Sequence, residues 1–241
     1  MESPSLTGLL AADIEGLLDF FDEKPPWSVG HATGIVNLVG EDLNAACLQH
    51  YLKGRGGDAV ILRDSVTGRP LPVTTGRTKG PRLDRWIRAQ WPGQPEVVFQ
   101  TEIKSWSAHG FGGIRLPLGG TASEVRKRKR EQWDDLYDAR RRRLKHPMTL
   151  KVLERMKPPK DVEPGAVCPL LIFWFALESR RSPNVPLFRV KVDSPEFQEL
   201  WVFSVSGYLR SLRSEGVERV ELEMPDAALR LRKLNGWFCS V

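Results

Sequence analysis

Cysteine is scarce in this chain: Cys47, Cys168 and Cys239 are the only three in 241 residues, and no two form a CxxC pair. That spacing excludes a zinc ribbon and a disulfide framework as the means of holding the fold together. The thiols are expected to be reduced, with Cys47 and Cys168 in the core. Long apolar runs are missing too. The longest, residues 170–177, is far too short to span a bilayer, and the N-terminus lacks the basic n-region of a secretory signal, so a soluble cytoplasmic protein is expected. No internal repeat and no low-complexity segment interrupts the chain.

What is present is ordinary for a folded protein. Hydrophobic residues make up 41% and charged residues 27%, and the length allows a substantial buried core. The formal net charge is +6 and the sequence pI about 9.4. Such an excess of base suits a polyanionic partner, or serves only solubility.

Periodicity organises the chain into a mixed α/β protein. Residues 9–21 place Leu10, Ile14, Leu17, Leu18 and Phe21 at helical spacing before Pro25-Pro26, which predicts an N-terminal helical arm and linker over residues 1–35. The main domain is expected over 36–241. Its first helix runs from Glu41 to Lys53 and stops before Gly54. Residues 59–63 are β-prone, and the Gly/Pro/Thr-rich stretch 68–81 leads into a strand on which Leu83, Arg85 and Ile87 share one face and Asp84 and Trp86 the other. The clearest buried strand is 97–106. Residues 123–145 contain no Gly or Pro and are expected to form a long charged helix. Strands are expected at 170–177, 187–192 and 217–223, with a helix over 195–213.

One strand carries unusual chemistry. Side chains two apart on a strand project the same way, so Glu102 and Lys104 in Gln100-Thr101-Glu102-Ile103-Lys104 point together while Ile103 faces oppositely. A buried charge costs several kcal/mol unless a partner or metal compensates. The two residues therefore either pair with each other or perform chemistry. Asp84 stands eighteen residues earlier, a distance that allows neighbouring strands to bring both carboxylates together. Oxygen ligands converging this way suit Mg²⁺ or Mn²⁺.

Gly80-Pro81-Arg82-Leu83-Asp84 followed by Glu102-Ile103-Lys104, after a helix beginning Gly40-Glu41-Asp42-Leu43, resembles the PD-(D/E)XK nuclease superfamily over residues 36–178. The family's Pro directly before the Asp is replaced by Leu83, with Pro81 three positions upstream of Asp84. The resemblance implies a restriction-endonuclease-like core, a central mixed β-sheet flanked by helices in the order αβββαβ, here with the N-terminal arm and a C-terminal extension. It implies that Asp84, Glu102 and the Ile103 backbone carbonyl hold the metal, and that Lys104 orients or helps deprotonate the attacking water. Glu41, or its neighbour Asp42, matches an acidic residue that many members contribute through a water or a second metal; Glu41 is preferred.

Around this centre the residues allow more than one role. Trp106 either lines the cleft or caps the sheet. The loop Ser107-Ala108-His109-Gly110-Phe111-Gly112-Gly113 offers backbone amides to phosphate or is a plain connection, and His109 is a minor candidate for general base. The predicted charged helix carries Arg126, Lys127, Lys129, Arg130, Arg140 and Arg141 as candidate nucleic-acid contacts; alternatively it is a solvated helix with ion pairs such as Arg130 with Asp134 and Asp138 with Arg142. Gln132 and Tyr137 stand one residue too far apart for the motif of the RecB-like branch. No zinc-finger spacing or helix-turn-helix supplies a separate DNA-reading module, so specificity falls to residues 68–81, to the region after Val185, or to a partner protein. The expected function is a metal-dependent DNA endonuclease of restriction, phage defence or mobile-element biology, and cutting both strands with one site per chain would call for a homodimer. A non-catalytic nucleic-acid-binding module is the alternative, and a protein-interaction domain with a structural Glu102–Lys104 pair the third.

Overall fold

Strands form here from short apolar runs of period two, and helices where caps open them. The computed structural model describes residues 8–22, 36–71, 84–104, 130–132, 137–138, 143–144, 153–154, 162–174, 176–178, 184–192 and 194–237. The strands are β1 (Leu9–Asp13), β2 (Asp58–Ile61), β3 (Arg85–Gln90), β4 (Val97–Lys104), β5 (Arg130–Gln132), β6 (Tyr137–Asp138), β7 (Arg143–Leu144), β8 (Val167–Phe173), β9 (Ala176–Glu178), β10 (Leu187–Lys191), β11 (Glu199–Ser204) and β12 (Arg219–Glu223). Four helices accompany them: α1 (Ile14–Asp22), α2 (Glu41–Lys53), α3 (Val205–Ser214) and α4 (Pro225–Trp237).

Six strands form a central mixed sheet in the order β10-β11-β8-β4-β3-β2. β4 pairs parallel with β8 and β8 with β11, whereas β2, β3 and β4 form an antiparallel meander and β10 returns antiparallel on β11. The alternation of side chains splits the core in two. Ile87, Phe99, Ile103, Leu170 and Ile172 join α1, α2 and α3 on one face. Trp86, Val98, Leu171, Phe173 and Val202 lie on the other, with Leu153 and Val162 against them.

Local chemistry accounts for the joints. At the end of α2 the Gly54 amide donates to the His50 carbonyl at 3.0 Å, and the chain turns through Gly56 at φ +73°. A Cβ on Gly57 would meet the Gln90 carbonyl at 2.7 Å, so only glycine lets α2 enter β2 this close to β3. Ser204 ends β11 and caps α3, its hydroxyl accepting from the Gly207 amide at 3.2 Å. Pro225 opens α4, where a missing amide costs nothing.

The expectations for α2, β2, β4, β10 and β12 agree with these elements to within a few residues; β4 is described as far as Lys104. Three do not agree. Residues 9–13 are a strand on β12, with Leu10 opposite Leu222, and only from Ile14 is the chain helical. Asp13 marks the change, accepting from the Gly16 amide at 2.8 Å. The described part of the expected arm contributes Ile14 and Leu18, 0% and 2% exposed, to the main core. Residues 195–213 divide into β11 and α3, because Leu200, Trp201, Val202 and Phe203 fit a buried strand and Ser204 starts the helix anew.

The long charged helix over 123–145 is also overturned where it is described. β5 pairs parallel with β9, and β6 antiparallel with β7. Absence of Gly and Pro is a weak argument for helix, and this segment has no apolar stripe to anchor one, so strand pairing prevails. No helix among the described residues is long and apolar enough to cross a membrane.

Burial pushes the Cys47 thiol up to about 12 and raises that of Cys168, beside which Arg189 acts in the opposite sense. At pH 8 the thiolate fraction of Cys47 is on the order of 10⁻⁴, so iodoacetamide will leave Cys47 unlabelled in the native protein and label it after denaturation, as read by peptide mass spectrometry. Ile14→Ala will cost about 2–5 kcal/mol in chemical denaturation. An arm that merely flanked the domain would unfold without effect on the rest.

Candidate active site

β3 and β4 bring the predicted carboxylates together by register. Arg85 pairs with Thr101 and Trp86 with Gln100, so the same register continued one residue before β3 sets Asp84 opposite Glu102. Directly opposed residues share a face at roughly 5 Å between Cβ atoms. Asp84 Oδ2 accepts the Ile103 amide at 2.6 Å, a short charge-assisted bond that caps the open end of the ladder. The N–H and C=O of a strand residue point to the same side, so the Ile103 carbonyl is directed toward the Asp84 strand and away from β8.

Glu102 is 5% exposed, with Leu171 as its neighbour on β8. An ionised carboxylate in this setting needs compensation of several kcal/mol. The layer beyond it includes the Leu153 carbonyl, which accepts from the Gln100 side-chain Nε2 at 2.7 Å. The backbone of Lys104 closes β4 opposite Phe173; its side chain lies outside the described residues.

Among the described residues no three Asp, Glu, His or Cys side chains converge on one point. Among the described residues, the carboxylates of Asp84 and Glu102 and the carbonyl of Ile103 are protein oxygens on offer at this end of β4. That donor set fits Mg²⁺, which keeps several waters and takes only one or two carboxylates from the protein.

Glu41 and Asp42, at the start of α2, are both engaged by Arg85. Arg85 alternates onto the face that α2 covers, is 9% exposed, and binds Glu41 Oε2 at 2.8 Å and Asp42 Oδ1 at 3.0 Å. Its Nη1 also donates to the Asp84 carbonyl at 2.7 Å. Asp42, 4% exposed, receives a second guanidinium, Arg230 Nη1 from α4, at 2.7 Å. Asp42 is thus a buried bridge between two cations, and Glu41 is the exposed partner of Arg85. Arg85 thereby links both acids to the backbone of Asp84.

Arg85 and Arg230 were not foreseen as part of this end of the molecule. A signal for Arg85 existed: a charge among apolar residues of the same parity requires an opposite charge, and the adjacent acids at the start of α2 supply two, of which Asp42 is buried. Nothing local marks Arg230. Trp106, His109 and the glycine-rich loop, with Arg126, Lys127, Lys129, Arg140 and Arg141, lie outside the described residues; Arg130 begins β5. The i,i+4 pairs expected of Arg130 and Asp138 lose their basis where the backbone is extended.

Asp42→Ala leaves two guanidinium groups facing one another at a buried site and will cost about 3–5 kcal/mol of unfolding free energy, whereas Arg230→Ala, removing a side chain that is 41% exposed, will cost less. Asp84→Ala removes the acceptor of the Ile103 amide, whose hydrogen exchange will accelerate while amides deep in β8 keep their protection. No family model, curated protein or solved structure matches the chain.

Proposed function

We propose that the chain is a divalent-metal-dependent nuclease of the PD-(D/E)XK type with a restriction-endonuclease-like core, acting on DNA. The observation that supports this reading is the register that sets Asp84 opposite Glu102 at the end of β4, with Ile103 tied to Asp84. α2, β2, the strand after Asp84 and the strand bearing Glu102 and Lys104 follow the expected order and β8 comes after them, while β5, β6 and β7 stand, where described, in place of the helix expected before β8. Asp84, Glu102 and the Ile103 carbonyl would hold Mg²⁺ or Mn²⁺, which when bound lowers the pKa of a coordinated water and offsets charge on the phosphate. Lys104, two residues along β4 from Glu102, orients the attacking water. Arg85 holds the Asp84 carbonyl and keeps the start of the strand in place.

Glu41, whose Oε2 is paired with the Arg85 guanidinium that also holds the Asp84 carbonyl, would act through a water or a second metal. The basic composition supplies attraction for a polyanion, and a homodimer would place two such sites on two strands. Restriction, phage defence and mobile-element maintenance are the settings that this chemistry suits.

One observation favours a second reading, a nucleic-acid-binding module of the same fold that does not cleave. Asp84 Oδ2 already serves the Ile103 amide, as a purely structural cap would.

Incubation of supercoiled plasmid and single-stranded DNA with Mg²⁺, Mn²⁺ or EDTA separates the two readings. The nuclease predicts metal-dependent cutting that falls by about a hundredfold or more in Asp84→Ala, Glu102→Gln and Lys104→Ala. Salt-sensitive binding without cutting, unchanged by these substitutions, would establish the binding module.

A further inference from the structure

A pocket of about 640 Å³ opens at the far end of β4 from Glu102, and the proposed nuclease chemistry makes no use of it. Val97 lies in its wall, five residues from Glu102 and thus about 16 Å away along the strand. Its size falls in the range of roughly 300–1,000 Å³ typical of small-molecule sites.

Two half-buried indoles form the aromatic side. Trp91 and Trp201 meet edge to face with centroids 5.8 Å apart, and Trp91 is stacked on Phe99 at 6.2 Å, which anchors it to the core. The Arg189 guanidinium lies 5.2 Å from the centre of the Trp201 ring, so this wall already receives a planar cation. The polar side is acidic. Among the described residues, Glu96, Glu163 and Glu199 line the pocket against one cation, Arg189. Arg189 is matched by Glu199 at 3.4 Å, and Arg88 reaches Glu96 at 3.5 Å from outside the lining. The pocket therefore carries surplus negative charge in a chain whose formal net charge is +6.

We propose that this pocket binds a ligand bearing an alkyl-guanidinium or alkyl-ammonium group, held between the indoles and the carboxylates. Aromatic faces with a carboxylate rim attract such cations by ring quadrupole and Coulomb terms together. A nucleotide would find the stacking surface but would bring its phosphates against the glutamates. The same chemistry is offered by a free small cation and by an arginine side chain within a partner's peptide.

Isothermal titration of the full chain with butylguanidinium, with a Gly-Arg-Gly peptide blocked at both ends, and with AMP tests the assignment. Saturable binding of either guanidinium compound at millimolar concentration is expected, and binding of the peptide alone would identify the source as a partner's arginine. Glu163→Gln, on an exposed side chain, will weaken binding roughly two- to fivefold, and Trp201→Leu about tenfold. No saturable binding of either compound, affinity unaltered in Glu163→Gln, or tighter binding of AMP than of butylguanidinium would overturn the proposal. DNA cleavage plays no part in these readouts, so failure here leaves the nuclease reading standing.

Discussion

The register of β3 on β4 is the constraint from which most of this molecule follows. Side chains on a strand alternate, so a slip of one residue would carry every one of them to the other face. In the observed register Trp86 lies on the side of Val98 and Leu171, while Ile87 and Phe99 lie on the side of α2. The burial of Trp86 and Ile87 on β3 and of Val98 and Phe99 on β4 holds the pairing, because a one-residue slip would exchange the packing of both faces at once. Asp84 and Glu102 stand opposite each other only as a consequence. The carboxylate pair is thus positioned by apolar packing several residues away, and the Asp84–Ile103 bond finishes the ladder where the packing ends.

A second interaction couples this strand to distant parts of the chain. Arg85 and Arg230 share Asp42, so the start of α2, the start of β3 and the C-terminal α4 meet at one buried carboxylate. Pairing of this kind adds little net stability over apolar packing, yet it is costly to break from one side. Its effect is on placement. α4 follows β12, and β12 pairs with β1, so both ends of the described chain are bound into the same layer that carries α2. The two ends of β4 differ in character as a result: oxygen donors at Glu102, aromatic rings and acids at Val97.

Several elements were legible because their signals are local. Leu43, Ala46, Cys47 and Tyr51 at helical intervals, closed by Gly54, identify α2, and Val97, Val98 and Phe99 after a turn identify β4. The segments that misled share a different property. In residues 9–13 and 199–204 a strand runs directly into a helix, and apolar residues on both sides of the junction continue one helical spacing by coincidence. Asp13 and Ser204 hold the information, since each caps the helix that follows. The charged stretch 123–145 has no periodicity at all, and its short strands depend on partners such as β9, more than thirty residues further on.

The sequence by itself determined the residue types and their parity: that Glu102 and Lys104 belong to one strand, that Asp84 lies within reach of them, and that α2 opens with two acids. Those properties depend on neighbours one to four residues apart and are readable along the chain. Only the tertiary structure decided which acid of α2 would be buried, because that choice depends on Arg85 and Arg230, 43 and 188 residues from Asp42. It likewise decided that Trp91 and Trp201 share a pocket, since they meet through the order of strands in the sheet. Pairing between remote segments is selected by total burial and charge compensation, and neither quantity is a property of any local stretch.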